Sequence, residues 1–549
     1  MSESDVNVVP QAEASRPSFP GWLQVAPLIL GLVLCALYLA AEVSYLGGEL
    51  GLPLDDSWIH LQFARNLAHG DGLSYNPGEL VAGSTAPLWT AVLSLLFMLP
   101  GSPLLWAKLV GAGFYAGGIA ASRQLALELD MSPGLAIVAA VMTAATGWLV
   151  WSALSGMEVP LFIFLSMWGV ILHIRERRDE RRPPLSLFLL GAGVLARPEG
   201  LLLLALAVVD RLILPTSEGR GVLRLRRPRL EPVLTGGMAA AILIAPVGLF
   251  NLAASGSSLP TTFDAKSTGL QSLLPNLHAL YEMLSIFFSV YPYFTFTAVA
   301  GCLVMVERLG RKRDVGLLPA LWLIGLPLAY STLGGAQENV IAGNFGRYYF
   351  PLFPILVVLG LLGVERAVRA SVWTVRAAGA RLPVGFLLLA VVAWPAVTGV
   401  HRCLGRYLQS LGNVQQSDVE MARWLSGRLA PEALLAVNDV GALKYLLPNP
   451  IVDLAGIIDP EAPLYIREAK SQGRDWHDGV LRFLEEERPD YLVIFPEWYP
   501  RFARPDSPFR LLYRLEIPHN ITMGGNSVGV YSTPWTRYPL SEPTAPELP

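Results

Sequence analysis

The sequence predicts a polytopic α-helical membrane protein of about eleven crossings, with a small C-terminal α/β domain on the outer side. Three observations carry this. Of 549 residues, 53% are hydrophobic and only 15% are charged, too few charges to solvate a soluble globule of that size. Apolar stretches of membrane-spanning length recur as far as Val400, and from Leu404 onward the chain turns to charges, prolines and short β-like runs.

A bilayer core of ~30 Å needs roughly 20 apolar residues per helix. Trp22–Tyr45, Leu104–Ala121, Gly134–Trp151, Met157–Ile174, Pro232–Ala254, Ser285–Val306, Val315–Thr332, Gly346–Val364 and Pro383–Val400 qualify. The first of these is too long for a signal-peptide core and lacks a clear cleavage site, so it is expected to be retained as a helix. Pro87–Pro100 is short for a crossing and is expected to lie re-entrant or along the surface. Leu185–Leu214 is too long for one crossing and is broken by Arg197-Pro198-Glu199-Gly200, which predicts two short helices meeting at the break.

Arginine sets the orientation. Basic clusters stand at Arg175–Arg182, Arg220–Arg229, Arg308–Arg313 and Arg366–Arg381, and placing all four in the cytoplasm fixes the remaining loops. The Asp55-Asp56 loop, "SGMEVP" (Ser155–Pro160), the Arg197–Gly200 break, "SSLPTTFDAKSTG" (Ser257–Gly269), "GNFGRYYFPLFP" (Gly343–Pro354) and everything after His401 then share the outer face. The net charge of −3 is unevenly spread and offers no basic surface for nucleic acid. Cys35 and Cys302 lie in apolar runs and Cys403 just past the last one, a spacing for packing rather than for disulfides or metal.

The C-terminal part predicts strands within Ala433–Gly441, Pro450–Gly456 and Pro489–Phe495, with helices over Ser417–Leu429 and Asp478–Glu487. The domains are therefore a disordered cytoplasmic N-terminus at 1–20, a membrane domain at 21–403 with its first outer loop at 47–86, an outer α/β domain at 404–540 and a disordered tail at 541–549.

Chemistry is concentrated on the outer face. Asp55 and Asp56 precede an amphipathic pattern, Ile59, Phe63 and Leu67, that starts a helix at the membrane surface. One aspartate suffices as a cap; two adjacent carboxylates can accept a hydroxyl proton and hold a sugar hydroxyl or a divalent cation such as Mg²⁺ or Mn²⁺. His60, one turn on, could join them, although a histidine simply hydrogen-bonded in the loop is the commoner case. Glu158, Arg197 and Glu199 are charges at membrane depth, which pair with one another or mark a polar cavity. Lys266 and Arg347 are nearly alone as cations of the long outer loops and suit an anionic head group arriving within the bilayer. Tyr348, beside Arg347, is an interfacial aromatic that would line the same space.

These segments together resemble the bacterial GT-C type of integral-membrane glycosyltransferase, which includes protein O-mannosyltransferases, lipid A aminoarabinose transferase and mycobacterial arabinofuranosyltransferases. "DDSWIHLQFARNLAHGDGLSYNPGELVAGSTAPLW" is similar to the first outer loop of that class, and "SGMEVPLF", "ARPEG", "SSLPTTFDAK", "GRYYFPLFP" and "VNDVGALKYLLPNPIVDLAGIIDP" follow in the expected order. Gln62, Ala82 and Ser84 depart from the usual residues of the class and bear on the acceptor subtype. The resemblance implies transfer of a hexosyl or pentosyl group from a polyprenyl-phosphate donor to a cell-envelope acceptor hydroxyl, at the outer face of a bacterial cytoplasmic membrane. Asp55 would be the general base and Asp56 its helper, through a metal or a sugar hydroxyl. Lys266 and Arg347, with Arg197 behind them, would bind the donor phosphate, and Glu158, Glu199, His60 and Tyr348 would line the cavity. A transporter or flippase of an anionic lipid-linked or small substrate is the competing expectation. It calls for repeated halves and midplane polar groups, which the sequence lacks.

Overall fold

The computed structural model describes residues 20–179, 181–212, 230–258, 260–261, 274–309, 315–332, 344–372, 381–458 and 461–541. The expectations for both termini and for Lys266 lie outside the described residues.

The membrane half is helical. α1 (Gly21–Tyr45) is followed by α2 (Asp55–His69), α3 (Pro87–Leu96), α4 (Pro103–Glu128), α5 (Pro133–Ala144), α6 (Gly147–Ala153) and α7 (Val159–Arg178). Then come α8 (Leu185–Ala196), α9 (Gly200–Leu212) and α10 (Leu230–Ser255). Proline at the first turn starts α3, α4, α5 and α7, where its missing N–H costs nothing. Among the described residues five helices are long and apolar enough to cross a bilayer, and seven if each of two bent pairs counts as one span.

Two expected straight spans are broken. Gly134–Trp151 bends by 60° between α5 and α6, and Ser285–Val306 bends by 110° between the helices Leu277–Val290 and Pro292–Arg308. At the second break Pro292 removes a backbone donor and Tyr291 leaves helical geometry, while its hydroxyl is tied to Thr146 at 2.6 Å, which sits at the first break. One hydrogen bond thus joins both kinks. α3, at 10 residues, is about 15 Å long and too short to cross, as expected.

α8 and α9 meet at Arg197-Pro198-Glu199, again as expected. α9 folds back so closely that a Cβ on Gly200 would lie 2.6 Å from the Val194 nitrogen. Glycine is required there. α7 runs through the middle of the bundle and holds the two chemistries apart: Glu158 precedes its first turn, and Arg175, Arg177 and Arg178 occupy its last. Twenty residues place them about 30 Å apart, the thickness of the bilayer core. Glu128, at the end of α4, pairs with Arg175 at 2.8 Å and Arg178 at 3.0 Å.

The C-terminal part is an α/β unit around a mixed five-stranded sheet of order β2-β1-β3-β5-β4. Its strands are β1 (Leu435–Val437), β2 (Ile451–Asp453), β3 (Tyr491–Ile494), β4 (Arg510–Glu516) and β5 (Ser527–Ser532). β1 pairs in parallel with β2 and β3, and β5 runs antiparallel between β3 and β4. The three expected strands are the buried parallel core. β4 and β5 were not expected; β4 is an edge whose residues are mostly exposed, so no apolar run marks it.

Candidate active site

The first outer loop is pressed against the α/β unit. Asn76 and Ile451 exchange two hydrogen bonds at 3.0 and 3.2 Å, the Tyr75 hydroxyl donates to Val440 O at 2.8 Å, and Arg65 donates to Tyr445 O at 2.8 Å. Gln62, a departure from the usual residue, donates to Tyr75 O at 3.0 Å and fixes the loop upon α2. Thr261 donates its backbone N–H to Ala82 O at 3.0 Å and its hydroxyl to Ile457 O at 2.9 Å. Ser84 bonds Thr90 at 3.0 Å, and Trp89 donates to Gly156 O at 2.9 Å. Segments distant in sequence therefore converge at one end of the bundle.

Within that seam the two aspartates face different partners. Asp55 accepts the backbone N–H groups of Gly441 and Ala442, each at 2.7 Å, so it caps the helix Gly441–Leu446 of the α/β unit. Asp56 is paired with the Arg347 guanidinium of the 3₁₀ segment Asn344–Leu352. Burial pushes the Asp55 carboxyl up to about 7 against the pull of the two N–H groups, with Asp56 and Asp453 adding to the rise.

Arg347 is buried, and its Nη1 has no hydrogen-bond partner among the described residues. Its guanidinium lies 5.5 Å from the centroid of Tyr348, and Arg197 stands at 5.1 Å from the same ring. Arg197 is far more engaged. Its Nη1 donates to Glu158 at 2.6 Å, its Nη2 to Glu199 at 2.6 Å and its Nε to Glu199 at 3.2 Å. Glu199 also accepts the hydroxyl of Tyr330. His60 Nε2 lies 3.2 Å from Glu158 Oε2, so the histidine faces the α7 carboxylate rather than the aspartates. Its Nδ1 is buried and has no hydrogen-bond partner among the described residues.

The structure thus brings together Asp56, Arg347, Tyr348, Arg197, Glu199, Glu158 and His60 in one chain of contacts, with Asp55 at its edge. Sequence reasoning missed three residues. Tyr330 lies inside an expected span, where a hydroxyl carries no motif. Asp418 and Asp439 stand beside Asp55: one carboxylate oxygen from each of the three lies within 4.8 Å of the others. Asp418 is carried by the π-helical turn Gln415–Val419, a backbone irregularity that concentrates at functional sites.

Residues 408–534 match the family model described as a domain of unknown function (DUF8728). A comparison with curated proteins finds no match. Among solved structures, ArnT from Cupriavidus metallidurans bound to undecaprenyl phosphate is similar over 92% of this chain and 98% of its own, at 14% identity and a TM-score of 0.57. The Archaeoglobus fulgidus oligosaccharyltransferase tethered to an acceptor peptide containing the NVT sequon matches 95% of this chain and 77% of its own, at 12% identity and a TM-score of 0.52. The same enzyme in complex with Zn and sulfate matches 92% and 73%, also at 12% and 0.52. The chain therefore has the GT-C fold of these polytopic membrane transferases, the fold its outer-loop motifs resemble.

Proposed function

We propose that the protein transfers a sugar from a polyprenyl-phosphate donor to an acceptor hydroxyl at the outer face of a bacterial cytoplasmic membrane. Arg347 is the observation that carries this reading. A buried guanidinium with one nitrogen on Asp56 and another that has no partner among the described residues is built to receive an anion. The undecaprenyl phosphate bound to ArnT, which shares the fold, supports a lipid-linked phosphate as that anion. Lys266 would add a second cation from its loop. Arg197 would serve as a reserve, since binding a phosphate would draw it away from Glu158 or Glu199.

In the transfer the acceptor oxygen bonds to the anomeric carbon as the bond from that carbon to the phosphate oxygen breaks. The electron pair leaves on polyprenyl phosphate, and the acceptor proton passes to a carboxylate. A phosphate leaving group needs little acid catalysis, so one base suffices. The resemblance assigns that role to Asp55, but the contacts favour Asp56. Each oxygen of Asp55 already accepts a backbone N–H that anchors the α/β unit, whereas Asp56 is held by the same arginine that would bind the donor. A phosphate arriving on Arg347 would loosen its hold on Asp56 when substrate is in place. Glu158, Glu199, His60 and Tyr348 would shape the surrounding cavity.

The test is purified protein with a panel of polyprenyl-phosphate hexoses and pentoses and cell-envelope acceptors. Asp56→Asn should lower kcat by about 10²–10⁴-fold with donor binding retained. If Asp56→Asn transfers sugar at the parental rate and Asp55→Asn does not, the base is Asp55. Saturable vectorial movement of a lipid-linked substrate without glycosidic bond formation would favour the flippase instead.

A further inference from the structure

We infer that Asp55, Asp418 and Asp439 form a divalent-cation site that clamps the α/β unit to the first outer loop. The three ligands come from separate parts of the chain. Asp55 opens α2 in the membrane half, Asp418 sits in the π-helical turn that leads out of the helix Arg381–Val414, and Asp439 follows β1. One oxygen of each lies within 4.8 Å of the other two, close enough to share one ion.

Asp418 carries an oxygen that the protein leaves unmatched among the described residues. It is wholly buried, its Oδ1 accepts the Ser417 hydroxyl at 3.0 Å, and its Oδ2 has no hydrogen-bond donor among the described residues. No lysine or arginine among the described residues compensates the group. Arg347 is taken by Asp56, Arg423 pairs with Glu49 and Glu420, and Lys444 points its ammonium at the carbonyls of Asn449 and Pro448. Burial, then the neighbouring carboxylates, raise the proton affinity of Asp418 and Asp439 well above the usual range. Carboxylates crowded in this way bind either protons or a cation.

The donor set selects the ion. Oxygen-only carboxylate ligands suit hard cations such as Mg²⁺, Ca²⁺ and Mn²⁺, while Zn²⁺ prefers nitrogen or sulfur. Asp55 and Asp439 are only half-buried, which leaves room for water to complete the coordination and for the ion to enter. The N–H groups of Gly441 and Ala442 occupy one lone pair on each oxygen of Asp55, leaving the second for metal. Because Asp56 follows Asp55 directly, the clamp would also position the Asp56–Arg347 pair.

The site does not depend on the transferase reading, since it is tested without turnover. Full-length protein in detergent, stripped with EDTA, is titrated with Mn²⁺ and followed by electron paramagnetic resonance, with Mg²⁺ and Ca²⁺ as competitors. One Mn²⁺ per chain is expected, with binding weakened at least 10-fold in Asp418→Asn and in Asp439→Asn but not in the exposed control Asp475→Asn. Melting adds a sign test. In EDTA, Asp418→Asn should melt above the parent, because it removes a buried carboxyl that without a cation must take up a proton to be accommodated; with cation present the parent should overtake it. Equal Mn²⁺ binding by parent and both variants, or a parent whose melting is unmoved by Mn²⁺, Mg²⁺ and Ca²⁺, overturns the proposal.

Discussion

Arg197 and Arg347 stand over the same tyrosine ring yet differ in what they can do. All three nitrogens of Arg197 are occupied by two glutamates, Glu158 buried and Glu199 nearly so, and removing it strands two carboxylates. Breaking such a buried pair costs about 3–5 kcal/mol, and Arg197→Met is expected to lower the melting temperature in detergent sharply. Arg197→Met combined with Glu199→Gln should recover part of the loss, because one stranded charge is gone. Arg347→Met removes the ion-pair partner of Asp56 alone, and that side chain is 25% exposed and therefore close to water. That variant is expected to fold and to lose undecaprenyl-phosphate binding by 10-fold or more in a direct binding assay. Both arginines were legible in the sequence, since a charge in or beside an apolar run is costly and therefore conspicuous. Their division of labour was not, because it depends on which carboxylates the fold delivers to each.

The seam between α2 and the α/β unit depends on a glycine. Gly441 lies 386 residues from Asp55 in the chain, and a Cβ there would sit 2.2 Å from the Asp55 carbonyl oxygen and 2.5 Å from its Oδ1. Gly441→Ala must therefore push the helix Gly441–Leu446 away from Asp55. Lost transfer activity and faster proteolysis of the α/β unit are expected, whereas substitution at Gly473, where a Cβ meets nothing, should change the seam little despite its positive φ. The same helix carries Lys444, whose ammonium burial brings down to about 8. Between about pH 8 and about 10.4 the unfolded chain then binds more protons than the folded one, so stability from this residue rises with pH. Melting curves of parent and Lys444→Met should show the difference between them changing in the parent's favour from pH 8 to pH 10. A constant difference would mean that Lys444 titrates alike in both states. The parallel strands of this unit were legible as apolar runs. Asp418 and Asp439 were not, since carboxylates far apart in sequence announce no shared site and the π-helical turn that carries Asp418 has no local signature.

At the scale of the molecule, the arrangement along α7 joins the arginine pattern to the chemistry. Glu158 and the aspartate seam lie at one end of that helix and Arg175–Arg178 at the other, so positive-inside placement of the arginines would carry the seam and the attached α/β unit outside together. The two halves cannot be assigned opposite sides, because Asp55 and Asn76 bond directly to Ala442 and Ile451. Labelling of intact cells with an impermeant thiol reagent tests the orientation. Ser57 is fully buried and would stay unlabelled on either side of the membrane, so the informative positions are the exposed Glu79 in the first outer loop, Gln472 in the α/β unit and Arg182 after α7. In a background lacking Cys35, Cys302 and Cys403, Glu79→Cys and Gln472→Cys should react in intact cells and Arg182→Cys only after permeabilisation. The reverse pattern would put the aspartates and Arg347 in the cytoplasm and with them any transfer reaction. Labelling of Glu79→Cys without Gln472→Cys would mean instead that the α/β unit is covered in the cell, and a purified sample would then regain the missing signal.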